Sequence, residues 1–114
     1  MLEKRKEKRK NLLYYLPVVD RNTGEQMGHL VDITRNGMML ISKEPIEKGL
    51  MFQIKIELQA IVSGHTQLEF DVESRWNSRD VNPDFFDTGF RFMNIDARTT
   101  GLIEGLISEH GFPE

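Results

Sequence analysis

Two arginines four residues apart, Arg5 and Arg9, stand in a basic run at the start of the chain, and the segment Asp32-Ile33-Thr34-Arg35-Asn36-Gly37 brings a carboxylate, a hydroxyl and a glycine together. A guanidinium fork suits phosphate oxygens and the O6/N7 acceptors of guanine, whereas a carboxylate suits the N1–H and N2–H₂ donor edge of the same base. The two segments are thus complementary to one guanine nucleotide. Asn36-Gly37 also reads as a hairpin turn taking positive φ values, which alone would explain the glycine. Asp32 and Thr34 would then be ordinary exposed strand residues on the face opposite Val31 and Ile33.

Arg5 to Arg9 forms an RxxxR arm, and Asp32 to Gly37 forms a (D/N)xSxxG turn with Thr34 in the serine position. In this pairing, at this separation, the chain resembles the bacterial PilZ domain family. The likeness continues through Leu16-Pro17-Val18, Ser74-Arg75-Trp76, Gly89-Phe90 and the closing helix, and so covers nearly the whole chain. The resemblance implies cyclic di-GMP as the ligand, with Arg5 and Arg9 gripping its phosphates and guanine Hoogsteen edges. It also implies that Asp32 and Thr34 face a guanine from the barrel side and that Gly37 lets the turn pass close to it. Lys4 occupies a position that in relatives influences whether one nucleotide or an intercalated pair is bound. Threonine keeps the hydroxyl of the family serine and adds a methyl group.

The elements that position these groups follow from pattern. The 114 residues are expected to form one domain, with residues 1–11 as a flexible basic arm and 12–114 as a β-barrel domain with a C-terminal helix. Leu12 to Asp20 reads as a strand, Arg21 to Gly24 as a turn, Gln26 to Thr34 as its partner and Met38 to Ser42 as a third strand. Phe52, Ile54, Ile56 and Leu58 alternate with polar residues, as do Leu68, Phe70 and Val72 on the far side of a Ser63-Gly64-His65-Thr66 turn. Trp76 closes that series and is expected in the core rather than under a ligand. Asn77 to Phe86 reads as a polar loop and Thr88 to Met93 as a sixth strand. A helix capped by Asp96 carries Leu102, Ile103, Leu106 and Ile107 on one face and ends at Gly111, with Phe112 as its hydrophobic closure. Gly101 and Gly105 are expected to let it lie close to the sheet. The fold class is therefore mainly β: a six-stranded antiparallel, PilZ-like barrel with a C-terminal α-helix across an open end.

Charge and composition narrow the function. Residues 1–10 carry six basic and two acidic side chains, a net +4, and residues 11–114 carry −7. An acidic body does not suit general nucleic-acid binding, which needs phosphate neutralisation. The chain has no cysteine, which excludes disulfides and thiolate sites, and no apolar run of membrane-spanning length, so a cytoplasmic protein without membrane insertion is expected. His29, His65 and His110 lack metal spacing, and Asp80, Asp84 and Asp87 lack the EF-hand pattern and read as a solvated loop. Arg75 and Arg79 are expected in surface ion pairs, with added charge near the nucleotide as the alternative, and Met38-Met39 in packing. No nucleophile–base pair appears, so neither an enzyme nor a cofactor or metal protein is expected. The expected function is a cyclic di-GMP receptor that orders its arm on binding and signals to a protein partner in trans, in motility, pilus or polysaccharide machinery. A ligand-independent PilZ-like interaction module is the alternative, and a barrel that binds RNA or DNA through its arm is a further one.

Overall fold

The structure, a computed structural model, describes residues 16–62 and 64–109. Six strands run in chain order: β1 Leu16–Asp20, β2 Gln26–Ile33, β3 Gly37–Ser42, β4 Met51–Val62, β5 His65–Arg79 and β6 Phe86–Met93, followed by the helix α1 Ala97–Glu109. All pairings are antiparallel, and the order β1-β2-β3-β6-β5-β4 closes on itself through β1 and β4. Closure leaves no sheet edge unpaired, and alternate residues of every strand fill the interior.

The core is the inward set that alternation predicts: Leu16, Val18, Leu30, Leu40, Ile54, Ile56, Leu68, Phe70, Val72, Phe90 and Phe92 are all buried. Ile103 and Leu106 of α1 join them and are fully buried, so the helix stoppers one mouth of the barrel. Its start is fixed by Asp96, whose Oδ1 accepts the Thr99 N–H at 2.8 Å. That bond to the Thr99 amide holds the Asp96 carboxyl below its ordinary value.

Several expectations need correction. β5 does not stop at Trp76. It continues to Arg79, pairing Asn77, Ser78 and Arg79 with Thr88, Asp87 and Phe86, so the polar loop shortens to residues 80–85. His65 and Thr66 belong to β5 rather than to a turn, with Gly64 at φ +83° beside them. Gly37 does not take a positive φ, and Asn94 is the only described non-glycine residue that does. The reason is local: the Thr34 N–H donates to the Gly37 carbonyl at 2.8 Å while the Thr34 hydroxyl accepts the Asn36 and Gly37 amides, which turns the chain without a left-handed residue. Gly101 faces open space, so it does not serve a close helix–sheet approach. The expected strand residues 12–15, Gly111 and Phe112 lie outside the described residues.

Candidate functional site

The site is built by two irregularities in the strands. In β2, Leu30 pairs with Leu40 and Asp32 with Met39, so Val31 is an extra residue. In β5, Ser74 pairs with Phe90 and Trp76 with Gly89, so Arg75 is extra. A bulge of this kind shifts the inward–outward alternation by one residue. Leu30 and Ile33 are therefore both buried, three apart. Ser74 is buried likewise, and Asn77, three further on, shares the inner face with buried Thr88 by register although it is itself exposed. Val31, the extra residue, is partly buried and packs against the same core as Ile33.

The outward consequence is a row of four directly opposed residues, Asp32, Met39, Gly89 and Trp76, across β2, β3, β6 and β5. Directly opposed residues share a face of the sheet. Beneath them runs the buried row Ile33, Met38, Phe90 and Ser74. Trp76 is 46% exposed, and its indole lies flat across Gly89, where an added Cβ would strike Nε1 and Cε2. The expectation of a core tryptophan fails because the Arg75 bulge turns Trp76 outward. The signal available in the sequence was the small residue opposite: a glycine in a strand interior marks close approach by another group.

One residue further along, Gly37 opposes Arg91, which opposes Glu73. A Cβ at Gly37 would collide with the Phe90 carbonyl oxygen, so the glycine is required by the closeness of β3 and β6. Arg75 Nη1 and Arg91 Nη2 both bond Glu73 Oε1, each at 3.3 Å. Two guanidiniums sharing one carboxylate leave the rim with positive charge to offer. Asp32 Oδ1 accepts the Ile33 N–H at 2.9 Å, which fixes the carboxylate against its own strand. Arg35, in the same turn, bonds Glu104 of α1 at 3.0 Å and ties the turn to the helix.

These residues enclose an open recess of about 390 Å³. Three of the residues singled out from sequence, Asp32, Thr34 and Gly37, line it together, and so do Arg75, Trp76 and Arg91. Trp76 and Arg91 are the members that sequence reasoning missed. Arg79 is elsewhere, donating to the Pro83 carbonyl and packed over the Phe86 ring. Arg5, Arg9 and Lys4 lie outside the described residues. A recess with an aromatic floor, a carboxylate on one side and guanidiniums on the other can stack a purine and read its edges.

The family model of the PilZ domain matches residues 3–109, and the chain belongs to that family, whose members are in general cyclic di-GMP-binding effector domains. The PilZ domain of YcgR from Escherichia coli, solved with c-di-GMP, is similar in structure, with a TM-score of 0.66 and 17% identity over 85% of this chain and 81% of that one. The Inhibitor of motility MotI/DgrA from Bacillus subtilis is similar at a TM-score of 0.64 and 16% identity, over 87% of this chain and 48% of that one. At these identities the likeness is one of fold. Comparison with curated proteins gave no match.

Proposed function

We propose that this chain is a cyclic di-GMP receptor in which the recess between β2 and β5 forms the fixed half of the site and the basic arm forms the closing half. The observation that carries the reading is the convergence of Asp32, Thr34 and Gly37 with the Trp76 indole in one recess. A guanine stacks on Trp76, with its donor edge toward Asp32. Arg75 and Arg91 meet the phosphates from the β5 and β6 side. Arg5 and Arg9, with Lys4 beside them, close over the nucleotide from the other side. The Thr34 hydroxyl already holds the amides of its turn, so its part is to keep the rim in shape, and the added methyl of threonine does not disturb that bonding.

Ordering the arm on the nucleotide creates a surface that differs between the two states, and a partner that prefers one state converts binding into a signal. The likeness to MotI/DgrA, an inhibitor of motility by its name, favours a partner in motility machinery. Among the described residues no helix is long and apolar enough to cross a membrane.

Isothermal titration calorimetry with cyclic di-GMP, with GTP as control, tests the reading. Saturable binding is expected, lost in Arg5→Ala/Arg9→Ala. Trp76→Ala should weaken it about tenfold to a hundredfold, the worth of one aromatic–base stack. Absence of binding at high micromolar nucleotide overturns the proposal and favours the ligand-independent module.

A further inference from the structure

The β3–β4 connection, residues 43–50, arches over the mouth of the barrel that α1 does not stopper. Its inner side is fastened to β5: the Ser74 hydroxyl donates to the Glu47 carbonyl at 2.7 Å and accepts the Leu50 N–H at 3.0 Å, and Asn77 Nδ2 donates to the Ile46 carbonyl at 2.9 Å. Between this arch and the start of β2 lies a groove of about 710 Å³, larger than the recess described above. Its floor is apolar, made by Met27, Ile41, Ile46 and Phe52, all partly exposed.

The rim has a different character. Asp20, Glu25, Glu44 and Glu47 line the groove against a single lysine, Lys43. Four other glutamates are matched to cations: Glu69 to Arg21, Glu104 to Arg35, Glu57 to Lys55, and Glu73 to both Arg75 and Arg91. Glu25, Glu44 and Glu47 have no such ion pair with a described residue, and all three are exposed. An apolar floor under an uncompensated acidic rim is the complement of an amphipathic segment with lysines or arginines along its edges. It is the wrong sign for anionic lipid and for nucleic acid.

We propose that this groove is a docking surface for a basic amphipathic segment of a partner protein. Its apolar residues seat on Met27, Ile46 and Phe52, and its cations meet Glu25, Glu44 and Glu47. The surface is separate from the nucleotide recess, shares no lining residue with it, and does not depend on the nucleotide reading.

The test is fluorescence anisotropy of the full-length chain, without nucleotide, against a labelled peptide with lysine and leucine at amphipathic helical spacing and against its glutamate–leucine counterpart. The lysine peptide should bind saturably and the glutamate peptide should not. Glu25→Lys/Glu44→Lys, both at exposed positions, should weaken binding by about tenfold or more, with the circular dichroism spectrum unchanged. Ile41→Ser should weaken it without changing its salt dependence. Equal binding of the two peptides, or indifference to the charge reversal, overturns the proposal. So does binding that appears only when residues 4–10 are neutralised, because the chain's own arm is then the occupant. A change of oligomeric state in the charge-reversed variant overturns it too, because the occupant is then a second copy.

Discussion

The outer wall across β2, β3, β6 and β5 and the mouth under the β3–β4 arch are two open surfaces of this barrel with opposite chemistry. The wall brings a flat indole and two guanidiniums together by inserting one residue in each of two strands. The mouth has an apolar floor, and its Glu25, Glu44 and Glu47 make no ion pair with a described residue. One β5 segment serves both: buried Ser74 and exposed Asn77 bond the arch, while Arg75 and Trp76 between them line the recess. A single strand can thus present side chains to both regions, because alternation sends neighbouring residues to opposite sides of the sheet and the bulge adds a second outward residue, Arg75 beside Trp76.

The comparison breaks most sharply at Gly89. Gly89→Val places a branched side chain where the Trp76 indole now lies, so the stacking floor is displaced. Nucleotide affinity should fall by about a hundredfold, the upper end for one lost stack, with a shift in tryptophan emission. Binding of the lysine–leucine peptide at the mouth should be unchanged. If peptide binding falls in parallel, the two regions are not separable.

A smaller effect is expected at Ser74. Ser74→Ala removes the hydroxyl from a fully buried position and leaves the Glu47 carbonyl and Leu50 amide short of a partner. The cost should be about 1–3 kcal/mol in a urea denaturation curve. The mouth should lose peptide affinity more than the wall loses nucleotide affinity.

The smallest effect is electrostatic and sits beside the mouth, where Asp87 opposes Ile41. Burial, with the neighbouring Asp80 adding to it, pushes the Asp87 carboxyl up to about 6 from 3.8, and its Oδ1 has no hydrogen-bond partner among the described residues. The folded chain therefore holds this proton more tightly than the unfolded chain does. Stability from this group is present below about pH 4 and is lost as pH rises through about 6. Asp87→Asn should flatten that fall in melting temperature between pH 4 and 6. An unchanged slope would assign the pH dependence to other carboxylates.

Much of the fold was legible because the apolar residues of β4 and early β5 alternate cleanly and because Asp96 caps α1 as such residues do. The site was half legible. Asp32, Thr34 and Gly37 announced themselves by type and spacing, and they do line one recess. Trp76 and Arg91 did not, and the reason is physical. Extending the Leu68, Phe70, Val72 series at period two carries Trp76 indoors, since nothing in that alternation marks an inserted residue. Asp87 was hidden similarly: in sequence it belongs to an acidic loop, whereas pairing with β3 and β5 draws it into partial burial.

The two bulges also act like single-letter shifts in a reading frame. Arg75 is the inserted letter: without it Ser74 and Trp76 would be direct neighbours on opposite faces, and Trp76 would still lie outward opposite Gly89. Loss of one regularly paired residue would instead send every side chain beyond it to the other face. Along this wall the weight of a one-residue change in length therefore depends on where it falls, and the bulges are the positions where the frame absorbs it.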